Sequence, residues 1–344
     1  MTRITIADIA RRAGVSTGAV SYALNGRPGV SEATRERILG IATELGWAPS
    51  SAARSLSGAR TETVGLVLAR DPSTLGFESF YMQFVAGIES ELAARDYGLL
   101  LQVAPDLEAE LRTYRKWRAA RRVDGIVTVD PRVDDPRVAM LAEDGALPTV
   151  VVGDPSLARG LTNVWTDDAA ATRESLRHLR GLGHRDVARV SGVRSFGHTW
   201  IRDQAFREES ARLGVRARVL PTDYSPDQGA AATRALLADD PAPTAIVYDN
   251  DVMALAGLGV AASMGLRVPG DLSIVAWDDS PLCRATFPQL TALSHDVVGF
   301  GAHVARRLFD RMAGVLGGSF LDSTPTLRLR GTTGHPESRP VAQP

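Results

Sequence analysis

The chain has 344 residues, with 39 basic and 40 acidic side chains, 44% hydrophobic residues and a single cysteine. That length exceeds one comfortable core and calls for two or three domains; the composition excludes a disordered, collagen-like or disulfide-framed chain. No apolar run reaches the length of a membrane span, and no basic head precedes an apolar stretch at the start, so a soluble, cytoplasmic protein is expected. The near-neutral total hides an asymmetry. Residues 1–60 hold eight arginines and four acids, a net +4, while the remainder holds 31 basic and 36 acidic residues, a net −5. A basic head on an acidic body suits a phosphate-binding module attached to a separate domain.

Residues 5–26 (Thr-Ile-Ala-Asp-Ile-Ala-Arg-Arg-Ala-Gly-Val-Ser-Thr-Gly-Ala-Val-Ser-Tyr-Ala-Leu-Asn-Gly) read as two short helices around a tight corner. Thr5 caps the first, and Asp8 stands where a capping box places a carboxylate. Ile6, Ile9 and Ala10 share one face. Gly14 supplies the positive φ that stops this helix, and Ser16 caps the next. The second helix is small and polar on one side (Thr17, Gly18, Ser21, Tyr22) and apolar on the other (Val20, Ala23, Leu24). This is the helix-turn-helix pattern, whose second helix enters the DNA major groove; an ordinary αα-hairpin has the same outline.

Asn25-Gly26-Arg27-Pro28-Gly29 is a turn. Ser31 then caps a third helix that runs to about Leu45, with an apolar face of Ile38, Leu39, Ala42 and Leu45. Ser16, Ser21, Asn25 and Ser31, with the amides at the helix starts, suit phosphate contacts. Residues 47–58 (Trp-Ala-Pro-Ser-Ser-Ala-Ala-Arg-Ser-Leu-Ser-Gly) allow a short helix, too small-sided to stand alone in water.

Residues 5–60 resemble the DNA-binding head and hinge of the LacI/GalR family of transcriptional regulators. The matching pieces are Thr-Ile-Ala-Asp-Ile-Ala at 5–10, Ala-Gly-Val-Ser at 13–16, Leu-Asn-Gly at 24–26, Val-Ser-Glu-Ala-Thr-Arg-Glu-Arg at 30–37, and Pro49 through Leu56. The resemblance implies a palindromic double-stranded operator contacted by Thr5, Ser16, Thr17, Gly18, Ala19, Ser21, Tyr22, Asn25 and Ser31. It also implies hinge helices paired in the minor groove, with Leu56 as the wedge and Ala53 one turn before it. Unstacking a base step costs a few kcal/mol and is offset by added contacts. Where the family commonly carries Val-Ser-Arg, this chain has Val20-Ser21-Tyr22. Tyr offers one hydrogen bond or an apolar contact in place of bidentate guanine recognition, so the operator sequence is not readable from the chain.

Beyond Thr63 the pattern changes. Short apolar runs at 64–69, 99–103, 125–129, 149–152, 187–191, 218–220, 245–248 and 272–276 predict strands. They alternate with predicted helices at 80–95, 107–121, 138–143, 168–182, 199–213, 227–237 and 251–264. That alternation predicts doubly wound α/β sheets, too many strands for one sheet, and hence two lobes with a ligand between them at the strand carboxyl ends. The family resemblance extends over this body to about Gly331, through Leu-Gly-His-Arg at 182–185, Tyr-Asp-Asn-Asp at 248–251, Gly-Leu-Arg-Val-Pro at 265–269 and Trp-Asp-Asp-Ser at 277–280. The implied fold class is a small all-α head joined by a hinge helix to an α/β, two-lobed, periplasmic-binding-protein-like core with parallel sheets. The expected domains are 1–47, a hinge at 48–61, and a core at 62–331. Lobe one spans about 62–165 plus 296–323, and lobe two about 166–295 plus 324–331; helix 297–312 returns to the first and a last strand at 326–329 lies in the second. A disordered tail is expected at 332–344, with no coiled-coil heptads.

Seven effector contacts are expected. Arg202, opening an Arg-x-x-Ala-Phe run, offers several donors. Asn250 and Asp278 follow apolar strands and together suit a polyol. Tyr224 stands where the family places an aromatic against the effector; a partly exposed loop tyrosine is the alternative. Phe80 and Tyr81 align with a first-lobe aromatic pair, with Glu78-Ser79 in place of the usual Asn-Pro, and Asp154 adds an acceptor. Helix capping is the alternative role for Asp278. His184 reads as structural and Cys283 as a buried small hydrophobe; Trp165, Trp200 and Trp277 are candidates to line the cleft, with buried packing the preferred reading. Metal-ligand spacing, a Gly-rich phosphate loop and a nucleophile elbow are all absent from the sequence, so no cofactor, metal or catalysis is expected. The expected function is a homodimeric regulator, a repressor by preference, controlled by a sugar; a purine or phosphosugar corepressor, a solute-binding protein or an enzyme are the rivals.

Overall fold

A computed structural model describes residues 4–47, 60–70, 76, 79–144 and 147–337. The chain divides into two units, Met1–Thr61 and Glu62–Pro344. The first holds helices α1 (Ile6–Ala13), α2 (Thr17–Leu24) and α3 (Glu32–Glu44). Ile9, Ala10 and Ala13 meet Val20, Ala23, Ile38 and Ala42 in one small core. The Asp8 carboxylate accepts from the Thr5 amide (3.0 Å) and hydroxyl (2.7 Å). Gly14 takes φ +66°, and Ser16 accepts from the Ala19 amide (3.1 Å), which gives the corner the turn chemistry expected of it.

The second unit starts with β1 (Thr63–Ala69), α4 (Ser79–Ala93), β2 (Gly98–Ala104), α5 (Leu107–Ala119), β3 (Gly125–Thr128), α6 (Pro136–Asp144), β4 (Thr149–Val152) and β5 (Thr162–Thr166). Next come α7 (Asp168–Gly181), β6 (Asp186–Ser191), α8 (Gly197–Leu213), β7 (Arg216–Pro221), α9 (Pro226–Leu237), β8 (Ala245–Tyr248), α10 (Asp251–Ser263), β9 (Ser273–Trp277), α11 (Pro281–Ala285) and β10 (Thr291–Ser294). The chain finishes with α12 (Val297–Met312), β11 (Ser319–Ser323) and β12 (Thr326–Arg328). One six-stranded sheet has the order β11-β5-β4-β3-β1-β2 and the other β12-β10-β9-β8-β6-β7. The strand pairings are parallel, as expected, except β10 with β12, which is antiparallel.

The chain crosses between the sheets after β5, after β10 and after β11, so each lobe is made of separate chain segments. Val297, Phe300, Val304 and Leu308 of α12 pack with Val64, Leu66, Phe84 and Ile88 in the first lobe. There, a Cβ on Gly87 would lie 2.0 Å from the Val298 carbonyl oxygen, so the absence of a side chain lets α4 and α12 approach. In the second lobe Leu176 and Leu179 pack on Val187, Val247 and Val275.

Three strands were not foreseen. β5 (Thr-Asn-Val-Trp-Thr), β10 (Thr-Ala-Leu-Ser) and β11 (Ser-Phe-Leu-Asp-Ser) are short and polar, and they become strands through their ladder partners rather than their own pattern. The C-terminal stretch is a correction. Residues 332–337 are ordered against lobe two rather than part of a disordered tail. The buried Thr332 hydroxyl donates to the Ile274 carbonyl (2.7 Å) and accepts from the Thr291 amide (2.8 Å), and Glu337 pairs with Arg267 (2.7 Å). Polar composition does not reveal that each of these groups has a partner waiting on lobe two.

His184 is structural, as expected. It is fully buried, with Nδ1 2.8 Å from the Thr244 hydroxyl and Nε2 3.0 Å from the Gly334 carbonyl. That carbonyl only accepts, so Nε2 carries the proton. Burial pulls His184 down to about 4 from an ordinary 6.5. The unfolded chain therefore binds the extra proton first, and the stability held above pH 6.5 drains as the pH falls toward 4. Between pH 7 and pH 5 this group alone is expected to remove about 2 kcal/mol. Urea unfolding of the parent and of His184→Gln at both pH values reads it as a smaller pH-dependent loss in the variant. Equal losses in the two proteins would refute the assignment.

Candidate functional site

In the first unit, Thr17, Gly18 and Tyr22 lie exposed on one side of α2, with Tyr22 46% accessible. Ala19 and Ser21 are half-buried beside them. The Tyr22 ring rests against Gly29, where an added Cβ would lie 3.3 Å from the ring. Asn25 donates from Nδ2 to the Ser21 carbonyl (2.8 Å), so it closes the end of α2. Thr5, Ser16 and Ser31 occupy helix starts, Ser31 accepting from the Thr34 amide (3.4 Å). Amide-rich helix ends of this kind suit phosphates, and exposed side chains on a second helix suit contact with bases. Ala53 and Leu56 lie outside the described residues.

In the second unit, a cavity of about 130 Å³ opens between the lobes. A single water needs about 10–15 Å³ on this measure, so the cavity holds a ligand of many heavy atoms. All seven expected effector residues line it: Phe80, Tyr81, Asp154, Arg202, Tyr224, Asn250 and Asp278. They arrive from both lobes because strands of both sheets end there, at the position α/β folds use for ligands.

The walls are more engaged with one another than expected. Arg202 is buried and its Nε reaches Asp168 (2.8 Å), its Nη1 Asp249 (3.1 Å), while its guanidinium lies 3.5 Å from the centre of the Trp277 ring. Burial opposes its charge, but Asp168 and Asp249 outweigh that and raise it. Asp249 also accepts from Arg189 (2.5 Å) and the Gly192 amide (2.8 Å); burial raises its carboxyl, yet the two arginines hold it down at about 2. Tyr224 is buried rather than a partly exposed loop residue. Its hydroxyl bonds with His198 (2.7 Å) and Thr199 (2.9 Å). It can lie there because residue 192 is glycine, whose Cβ would sit 1.8 Å from the ring.

Asn250 caps α10, accepting from the Met253 amide (2.8 Å), and donates to the Tyr224 carbonyl (3.1 Å), which leaves one N–H and one lone pair for a ligand. Asp278 takes φ +65°, an uncommon backbone for a residue with a side chain, and Ser280 rather than Asp278 caps α11. Asp154 accepts from the Ser156 amide (2.9 Å) and hydroxyl (2.6 Å).

On the first lobe, Arg70 and Tyr81 both reach Asp130, Arg70 at 3.0 Å and the Tyr81 hydroxyl at 2.6 Å. Burial raises the Asp130 carboxyl, but Arg70, His198 and Tyr81 hold it down at about 2. The Arg70 guanidinium also crosses the cleft to lie 4.4 Å from the Phe196 ring centre and 5.0 Å from that of Tyr224. The Gly197 amide donates to the Pro131 carbonyl (2.7 Å), a second contact between the lobes. Burial brings His198 down to about 4, so it is neutral at pH 7.

The profile described as bacterial regulatory proteins, lacI family, matches residues 5–50, and a periplasmic binding protein-like domain matches residues 176–333. The HTH-type transcriptional regulator CelR of Thermobifida fusca is 33% identical over 91% of this chain and 93% of its own. The chain belongs to the LacI family. The structure of a CelR–cellobiose complex superimposes with a TM-score of 0.73 at 30% identity, covering 96% of this chain and 100% of that one. A lac repressor dimer bound to operator and the anti-inducer ONPF superimposes at 0.84 and 26% identity, covering 97% and 100%. This LacI-family member is thus a DNA-binding transcriptional regulator under effector control. Its relatives are regulators, not enzymes.

Among the described residues of this LacI-family chain, no group of His, Cys, Asp and Glu forms a metal site, and no helix is long and apolar enough to cross a membrane. Sequence reasoning did not single out Arg70, Asp130, Asp168, His198 or Asp249 for the cleft. Asp249 adjoins Asn250 at a strand end, and that position was the available signal. For Arg70 and Asp130, at the ends of two apolar first-lobe strands, the same signal went unused. Trp165 and Trp277 line the cavity, and Trp277 is also buried packing; Trp200 is 45% exposed and does not line it.

Proposed function

We propose that the chain is a homodimeric repressor whose operator affinity is set by a neutral sugar held by Phe80, Asp154, Arg202, Asn250 and Asp278, with Tyr81 and Tyr224 shaping the walls. One observation carries this reading. Both guanidiniums that line the cavity, Arg70 and Arg202, are already paired with carboxylates, while Asp154 and Asp278 add further acceptors to a lining that also holds the Phe80 ring. A phosphate or carboxylate ligand would have to displace those pairs. A polyhydroxyl ligand donates to the carboxylates and lays its C–H face on the rings. The relative crystallised with cellobiose makes that disaccharide the first probe.

Effector and operator are linked, so cellobiose must change operator affinity by the factor by which operator changes cellobiose affinity. The expected result is a melting-point rise with cellobiose, none with purines or phosphosugars, and a shift of operator affinity of about 5–150-fold. In Asp278→Ala that shift is expected to vanish while operator binding without sugar stays intact. A variant that still responds fully would remove Asp278 from the site, and a purine response would replace the sugar reading.

A further inference from the structure

Six of the chain's 39 basic residues fall within residues 112–122: Arg112, Arg115, Lys116, Arg118, Arg121 and Arg122, with no acid among them. All six are exposed. Their helix, α5, buries the opposite face through Thr113, Tyr114 and Trp117. Arg112 pairs with Glu108 (2.6 Å), but among the described residues Arg115, Lys116, Arg121 and Arg122 make no side-chain bond or ion pair. The helix dipole accounts for Lys116 and Arg118 in the last turn; it does not account for Arg112 and Arg115 further back, nor for two arginines beyond the end. Arg121 takes φ +44°, where glycine would sit with less strain, so the turn carries a charge at a local cost. The rest of the body is acidic, so this concentration is not a general feature of its surface.

The strip's place in the fold narrows the partner. α5 runs antiparallel to the strands, so its end lies at the edge opposite the cleft. There the Asp124 amide donates to the Thr63 carbonyl (2.8 Å) and the Glu62 amide to the Asp124 carboxylate (2.8 Å). This is the edge at which β1, the first strand of the second unit, begins.

We propose that the basic strip of Arg115, Lys116, Arg121 and Arg122 is a second DNA-binding surface, on the core, that engages the phosphate backbone flanking the operator. It is sequence-independent, because exposed guanidinium and ammonium groups meet phosphates without reading bases. It adds affinity and salt dependence on long DNA and leaves operator choice to α2.

The test uses the full-length protein and the tightest duplex recovered by in vitro selection, prepared as a core of about 20 base pairs, enough for two half-sites one turn apart, and with flanks to about 60. The parent is expected to bind the long duplex more tightly and with a steeper salt slope. In the variant combining Arg115→Gln, Lys116→Gln, Arg121→Gln and Arg122→Gln, binding to the short duplex is unchanged. Its slope on the long one falls by about 0.9 for each phosphate that is no longer neutralised. The same ratio of long to short affinity in parent and variant overturns the proposal. A second readout needs no mutation: Lys116 is the only lysine in the chain, so acylation at that residue, located by peptide mapping, reports the strip directly. Protection by the long duplex and not by the short one supports the proposal. Equal labelling with both, as an acidic protein partner would leave it, overturns it.

Discussion

Arg189→Met is expected to destabilise the second unit by about 3–5 kcal/mol, the scale of breaking a buried ion pair by removing one partner. Arg189 is fully buried on β6, with Nε on Asp203 (2.9 Å) and Nη2 on Asp249 (2.5 Å). Taking it away leaves Asp203 without its main partner and Asp249 with Arg202 and the Gly192 amide. Desolvation already raises Asp203, and it then has less to oppose it. The Asp249 carboxyl would climb from about 2, since burial pushes it upward once Arg189 is gone. Urea unfolding at pH 7 reads the loss. Adding Asp203→Asn should recover part of it, because a neutral amide does not need the guanidinium. A loss below about 1 kcal/mol would mean that the network is better solvated than its burial indicates.

Leu56→Ala is expected to weaken operator binding by about a hundred-fold while leaving effector binding by the full-length protein unchanged. The wedge role comes from the resemblance of residues 49–56 to the family hinge. A side chain between base steps holds a bend that admits further contacts, and losing a few kcal/mol of these corresponds to two decades in affinity. Fluorescence anisotropy on the selected duplex, with isothermal calorimetry for the effector, separates the two. Unaltered operator affinity would rule out the wedge. A loss of sugar binding as well would point to misfolding.

The head was legible almost residue by residue. Its signals are local: a cap at Ser16, a positive-φ glycine at position 14, and apolar positions at helical spacing that meet in one small core. The alternating strands and helices of the body were equally visible, because buried parallel strands such as 64–69 and 245–248 are continuous apolar runs. The strands that carry the crossovers were not. β5 and β11 hold polar residues, β11 at the sheet's edge and β5 next to it, and only the partners across the ladder make them strands. Thr332 failed in the same way: a polar residue looked like tail until Ile274 and Thr291 were brought beside it.

For the cleft, the sequence by itself determined which side chains stand at strand ends, which was enough to list Asn250 and Asp278, while the family resemblance added Arg202 on α8. It also determined the DNA-reading helix, with Thr17, Gly18 and Tyr22 on its exposed side. The tertiary structure alone decided which charges neutralise which. Asp168 and Asp249 meet Arg202, and Arg189 meets Asp249, from separate stretches of chain, while Arg70 meets Asp130 across 60 residues. Electrostatic pairing depends on distance in space and on the loss of water, neither of which is written in the order of residues. That pairing engages both arginines of the cleft, and the proposed neutral-sugar reading rests on it.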